Sequence, residues 1–283
     1  MRSPLRSSDR TREGRSDMSQ MKATVRTFRK MKKDGSKIVM VTAYDAPTAA
    51  FAQEAGVDMI LIGDSVGMAM LGYSDTIPVT MDDMIHHCKA VRRGAPDMFL
   101  VGDMPYLSYH TGTDTAIRNA GRFMQEANCD CVKLECSEEE LPLVRRMVAA
   151  GIPVIAHIGL LPQSVKVSGG YRVQGREEAQ ADRLTKLALD MQDAGAFCVL
   201  MECVPAALAA KISGKLAVPT IGIGAGAGCD GQVQVVTDIL GIGSFLPKHA
   251  RRYAAVGEAT LQALKQYASE VRSGTFPGEE NSF

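Results

Sequence analysis

Five apolar runs in this 283-residue chain each end on one side chain able to hold a proton or a cation. ILIGD ends at Asp64 and FLVGD at Asp103, CVKLE ends at Glu135, VIAH at His157 and CVLME at Glu202. Short apolar runs bounded by turn residues read as strands buried on both faces. In a strand, residues two apart share a face, so Lys133 and Glu135 point the same way, as do Val101 and Asp103, and Leu200 and Glu202. Several carboxylates in one low-dielectric pocket repel each other, so either some are protonated or a cation holds them. An all-oxygen ligand set suits Mg²⁺ far better than zinc. Asp64, Asp103 and Glu135 are the expected ligands. A divalent ion there can chelate a 2-oxo acid, polarise its ketone and stabilise the enolate formed at the adjacent carbon. Glu202 is then available as a general base that is not a ligand. Lys133 can neutralise the substrate carboxylate and Ser65 can hydrogen-bond it.

Each of these residues has a plainer reading. A single acid at a strand end is more often a helix cap or an ion-pair partner; it is the set of acids with a lysine among them that favours a site. His157 reads equally as a site residue and as a packed histidine. His86 and His87 fall inside a helix, as surface or interhelix residues. The glycine run from Gly222 to Gly231 contains G-x-G-x-x-G at Gly226, Gly228 and Gly231. It lies late in the chain and reads as the tight turn after a seventh strand, not as a dinucleotide loop. Cys129 and Cys131 have no second pair at zinc spacing.

The elements that would bring these groups together recur as a unit. A helix ends in Ala-Gly, a few residues follow, and an apolar strand begins: Ala55-Gly56, Ala150-Gly151 and Ala194-Gly195 each do this. At Ala127-Asn128 the asparagine takes the left-handed cap. Helices are expected over Met81 to Arg92, Thr113 to Ala127, Glu138 to Ala149 and Glu177 to Ala194. The first of these starts on a capping box, Thr80 with Asp83. Strands are expected from Lys37 and Asp58, then at the runs above, at Val218 to Gly224 and, as the eighth, at Ile239 to Pro247. Alternating strands and helices imply parallel pairing. Polar residues after many strands favour a closed (β/α)8 TIM barrel over an open doubly wound sheet, and put Asp64, Asp103, Glu135, His157 and Glu202 at one rim. A basic, weakly amphipathic helix from Lys22 to Lys33 precedes the barrel as a lid.

Composition excludes several classes. Formal net charge is zero, so no basic footprint for nucleic acid is present. No apolar run approaches the roughly 20 residues that span a bilayer. Hydrophobic content of 46% with 23% charged residues is that of a soluble globular chain. Seven cysteines, without a C-x-x-C, favour reduced thiols and a cytoplasmic location. Residues 1–20, Arg- and Ser-rich with no apolar core, read as a disordered tail before a single catalytic domain over 21–283, one whose deletion leaves activity and assembly intact.

The sequence resembles the ketopantoate hydroxymethyltransferase family. The matching pieces are TAYD at Thr42 to Asp45, GDSVGM at Gly63 to Met68, TIPVTMDDM at Thr76 to Met84 and RRGAP at Arg92 to Pro96. They continue with VKLE at Val132 to Glu135, GGYRVQGR at Gly169 to Arg176, ECVP at Glu202 to Pro205, PTIGIGAG at Pro219 to Gly226, and the terminal PGEENSF. The resemblance implies a barrel of the phosphoenolpyruvate/pyruvate-utilising type. It implies Mg²⁺ at Asp64, Asp103 and Glu135, keto-acid binding by Asp64, Ser65, Asp103 and Lys133, and proton abstraction by Glu202. It implies transfer of a hydroxymethyl group from 5,10-methylenetetrahydrofolate to 3-methyl-2-oxobutanoate, giving 2-dehydropantoate for pantothenate synthesis, by a cytoplasmic homo-oligomer, often a homodecamer. Cys136 stands where the family commonly has glycine, and Leu161 where threonine is common. Two rivals remain: a Schiff-base aldolase using Lys133, and a non-catalytic barrel that senses keto acids.

Overall fold

The computed structural model describes residues 22–283, so the expected tail over 1–20 lies outside the described residues. Helix α1 (Val25–Lys33) leads into strand β1 (Ile38–Thr42) and helix α2 (Ala46–Glu54). Then come β2 (Met59–Ile62), the short α3 (Val66–Ala69), α4 (Met81–Gly94), β3 (Phe99–Asp103), α5 (Thr113–Ala127) and β4 (Cys131–Glu135). Next are α6 (Leu141–Ala149), β5 (Val154–Gly159), α7 (Val165–Ser168), α8 (Glu178–Asp193), β6 (Cys198–Glu202), α9 (Ala206–Lys215) and β7 (Thr220–Ile223). The chain closes with β8 (Gly231–Gln234), α10 (Val236–Leu240) and α11 (Val256–Ser273). The eight strands pair in chain order, all parallel, and β8 pairs with β1 to close the barrel.

Local chemistry sets the element ends. Asp45 caps α2 by accepting from Thr48 N at 2.8 Å. Thr80 and Asp83 form the expected reciprocal box at the start of α4, with bonds of 2.9 and 3.2 Å. Asn128 takes the left-handed cap, at φ 51°. The stretch expected as one helix from Glu138 begins as a 3-10 turn, Glu138–Glu140, before α6.

Side chains alternate between two cores, as parallel strands require. Ile38, Met40, Met59, Leu61, Val101, Cys131, Ile155, Leu200, Ile221 and Val233 fill the barrel interior. Ile60, Ile62, Leu100, Val132, Leu134, Val199 and Met201 face the helices. The helix read as a lid, α1, sits at the N-terminal mouth. Its one fully buried side chain, Phe28, meets the ring of Phe99 edge-on at 4.8 Å, beside Phe197. It therefore plugs the end of the barrel opposite the acidic residues.

The eighth strand is not where the sequence suggested. Ile239 to Pro247 does not form it; the strand is Gly231–Gln234, and Val236–Leu240 is a short helix. The glycine run is the link from β7 straight into β8, with no helix between them. Asp230 anchors that link: its Oδ2 accepts from Thr220 N at 2.8 Å, Thr220 Oγ1 at 2.9 Å and Lys32 Nζ at 2.7 Å. A glycine loop that opens no helix lacks the helix N-terminus a dinucleotide site needs, in agreement with its reading as a turn.

His87 Nδ1 lies 2.7 Å from the carbonyl of Tyr44, joining α4 to the loop after β1. All seven cysteines are free thiols. No helix among the described residues is long and apolar enough to cross a membrane.

Candidate active site

The C-terminal ends of β2 to β6 deliver the acids, the lysine and the histidine to one mouth. Asp103 and Glu135 are the last residues of β3 and β4, and Glu202 is the last of β6. Lys133 stands mid-strand on β4, paired in register with Asp103 and on the same face as Glu135. Glu135 is in register with His157 of β5. Asp64 and Ser65 follow β2 at a tight turn. That turn brings Ser65 so close that a Cβ on Gly63 would fall 2.8 Å from its hydroxyl. Asp64, Asp103, Lys133, Glu135 and His157 are all buried.

These side chains form one run of contacts. Lys133 Nζ lies 2.6 Å from Asp103 Oδ1. Asp103 Oδ2 accepts from Asp64 N at 3.0 Å. On its other side Lys133 approaches His157 Nδ1 at 3.5 Å, and His157 Nε2 lies 3.3 Å from Glu202 Oε2. Ser65 stands slightly apart, its Oγ 2.9 Å from the hydroxyl of Tyr44. Beyond Glu202 the backbone is closely packed: Gly159, at φ 98°, has no room for a Cβ, which would meet the Glu202 carbonyl at 2.4 Å.

Two residues that sequence reasoning missed complete the site. Gln163, in the 3-10 turn Pro162–Ser164 after β5, donates its backbone N–H to both oxygens of Glu135, at 3.0 and 3.2 Å. Its side-chain Nε2 donates to Asp64 Oδ2 and to the Met104 carbonyl, each at 2.9 Å. Tyr109 donates its hydroxyl to Gln163 Oε1 at 2.9 Å. The only cue in the sequence was a polar residue directly after the proline of HIGLLPQS, a stretch singled out only for Leu161. Leu161 itself lines a cavity of about 140 Å³ beside Glu135, together with Tyr106, Tyr109, Ser137 and Ser164.

The electrostatics are unbalanced. Burial pushes Asp103 up to about 7, with Lys133 opposing and Asp64 adding to the rise. Burial, then the charge of Asp64, also raises Glu135 well above the ordinary carboxylate range. Burial pulls Lys133 down, but Asp103, Asp64 and Glu135 outweigh it and hold the ammonium above its ordinary value. Burial and the neighbouring Lys133 lower His157, against the pull of Glu202. Asp64, Asp103 and Glu135 thus share one lysine, and Asp103 Oδ1 receives no aligned hydrogen bond despite its close ion pair. The donor set is all oxygen and short of positive charge, which fits a hard divalent cation. As placed, no three acidic, histidine or cysteine side chains among the described residues stand close enough to share an ion. Gln163 bridges two of the three acids, so loading requires small shifts of the carboxylates around it.

A model of the ketopantoate hydroxymethyltransferase family matches residues 22–279. The 3-methyl-2-oxobutanoate hydroxymethyltransferase of Syntrophus aciditrophicus is 52% identical over 263 residues, covering 93% of this chain and 97% of that protein. Among solved structures, a phosphonopyruvate hydrolase complexed with oxalate and Mg²⁺ superposes with a TM-score of 0.61 at 13% identity, covering 92% of this chain and 93% of that one. A 2,3-dimethylmalate lyase of the PEP mutase/isocitrate lyase superfamily superposes at 0.58 with 17% identity, covering 92% and 91%. At such identities the two structures carry the fold alone, a closed (β/α)8 barrel.

Proposed function

We propose, since the chain belongs to the ketopantoate hydroxymethyltransferase family, that it is a 3-methyl-2-oxobutanoate hydroxymethyltransferase acting through the mouth just described. Residues 21–283 act as one catalytic domain. The observation that carries this reading is the run Glu202–His157–Lys133–Asp103. It sets a carboxylate base, a neutral imidazole and a protonated lysine in a line beside a cluster of acids.

Lys133, kept charged by its acidic neighbours, holds the carboxylate of the keto acid. The Ser65 hydroxyl, oriented by Tyr44, donates to the same group. Asp64, Asp103 and Glu135 would hold Mg²⁺, which when bound polarises the keto oxygen and acidifies the adjacent carbon. Glu202 takes the proton from C3; positioned bases of this kind contribute about 10²- to 10⁴-fold. The carbon freed of its proton attacks the methylene of 5,10-methylenetetrahydrofolate. Both C–N bonds that hold this methylene break: the substrate carbon takes the place of one nitrogen and the oxygen of water the place of the other. The proton released by water and the one taken by Glu202 go to the two nitrogens, giving 2-dehydropantoate and tetrahydrofolate. Met68 in the short α3 and, on the loop after α7, Tyr171, whose hydroxyl lies 3.8 Å from the Met68 sulfur, and Val173 are exposed and would offer an apolar face to the flat pterin. The reaction belongs to pantothenate synthesis.

Self-association in the cytoplasm, as a homodecamer, is part of the same reading. It is supported by α11, which has no buried residue and exposes Leu261, Leu264, Tyr267 and Val271. An apolar row on a helix that buries none of its side chains among the described residues invites a second copy.

The Schiff-base alternative needs a neutral Lys133 amine, and its acidic surroundings disfavour one. The sensor alternative leaves Glu202 without a task. Formation of 2-dehydropantoate from 3-methyl-2-oxobutanoate and methylenetetrahydrofolate, lost in EDTA and restored by Mg²⁺, tests the proposal. Turnover that survives EDTA and is trapped by borohydride would replace it with the Schiff-base mechanism.

A further inference from the structure

We propose that Gln163 is a positioning residue for the cation site, fixing Asp64 through its side-chain amide and Glu135 through its backbone N–H. This rests on reading Asp64, Asp103 and Glu135 as the ligands. One residue on the turn after β5 ties an acid that follows β2 to an acid that ends β4, across the strand that carries Asp103. These two carboxylates repel each other, and the lysine that both attract makes its close ion pair with Asp103 instead. A neutral donor bonded to both holds them near each other without adding a charge that would compete with the ion.

The amide is fully used, which gives it one orientation. Its nitrogen meets two acceptors, Asp64 Oδ2 and the Met104 carbonyl, so only the NH₂ end fits there. Its oxygen accepts from Tyr109. Tyr109 is buried, and that burial, with the nearby Glu135, holds its hydroxyl protonated and able to donate. Tyr109 therefore locks the amide against a flip, which would turn its oxygen toward the carboxylate of Asp64. The bond to Oδ2 leaves Oδ1 of Asp64 for the ion. Asparagine is one carbon too short for this span, and glutamate would set a like charge against Asp64. Pro162, directly before it, restricts the backbone of the turn and so the direction in which Gln163 leaves it.

The test is Mn²⁺ binding to the metal-stripped full chain, read by the electron paramagnetic resonance of the free ion, beside the melting temperature of each metal-free protein. Gln163→Met keeps length and volume and removes both amide donors. It is expected to weaken Mn²⁺ binding by about 10- to 100-fold, the usual effect of losing a group that orients a ligand. Tyr109→Phe is expected to weaken it in the same direction by less. In turnover, both should raise the Mg²⁺ concentration for half activity and recover kcat at saturating Mg²⁺. Unchanged Mn²⁺ affinity with only a lower melting temperature would make Gln163 a packing residue and overturn the proposal. Tighter binding would overturn it too, by making the amide a competitor of the ion. If Gln163→Met does not fold, an unchanged affinity in Tyr109→Phe is sufficient to reject it. Wild-type protein that binds no Mn²⁺ would reject the ligand set itself.

Discussion

The imidazole of His157 stands between two opposite charges, its Nε2 3.3 Å from Glu202 Oε2 and its Nδ1 3.5 Å from Lys133 Nζ. A protonated lysine only donates, so Nδ1 must accept and the proton of the neutral ring sits on Nε2, toward Glu202. Burial and Lys133 lower the ring's pKa, and Glu202 raises it. Lys133→Met should therefore raise the pKa of His157 and Glu202→Gln should lower it further. Nitrogen-15 spectra of the labelled ring report both the tautomer and the titration. Shifts of the same sign in the two variants would show that the histidine does not lie between them electrostatically.

Glu202 is the less enclosed of the two acids in the run, with 18% of its side chain exposed against 2% for Asp103. That opening is what the proposed role as base needs. Glu202→Gln keeps the shape and removes the proposed base. Exchange of the C3 hydrogen of 3-methyl-2-oxobutanoate with deuterated solvent should fall by about 10²- to 10⁴-fold. Binding of the keto acid, measured by calorimetry, should be retained. Undiminished exchange would pass the base role to another residue.

The acids should make the metal-free protein less stable as pH rises. Asp103 has an ordinary pKa of 3.8 and a folded value of about 7. The folded state then binds the extra proton between those values, so its stability is greatest below 3.8 and is lost as pH climbs through about 7. Glu135 shifts in the same direction. Melting temperatures of metal-stripped protein should decline over that range relative to Asp103→Asn, which has no proton to lose. Saturating Mg²⁺ should restore the wild type above pH 7 through preferential binding to the folded state. Identical pH profiles for the two proteins would show that Asp103 titrates normally.

Strands whose neighbours cover both faces were legible, because burial on two sides demands continuous apolar runs, and each of β2 to β6 ends at its expected polar residue or within two of it. The eighth was not. GQVQ turns Gly231 and Val233 inward while Gln232 is exposed, so only two positions carry an apolar demand. The more apolar stretch from Ile239 drew attention instead, and its start belongs to a five-residue helix. The convergence of acids was legible for the same reason as the strands: β-pairing fixes which end each side chain occupies. Gln163 and Tyr109 were not, since both lie on loops whose path depends on contacts distant in sequence. Neither residue type signals chemistry alone.

The plug at the opposite mouth separates stability from activity. Phe28 is fully buried, with its ring against Phe99 and the interior residues Ile38 and Met59 in the same cluster. The site lies at the other end of the strands, with a layer of interior side chains such as Val101 and Leu200 between. Phe28→Ala opens a cavity at the end of the barrel, where this ring packs in one cluster with Phe99 and Phe197. The loss should be about 3–5 kcal/mol in urea unfolding, with little change in denaturant slope. Because Phe28 packs against Phe99 at the start of β3 whereas Asp103 ends that strand, KM for the keto acid and the affinity for Mn²⁺ should remain those of the wild type at temperatures where the variant is folded. A marked rise in KM with little loss of stability would mean that α1 acts on the catalytic mouth, as a lid, rather than as a floor beneath the core.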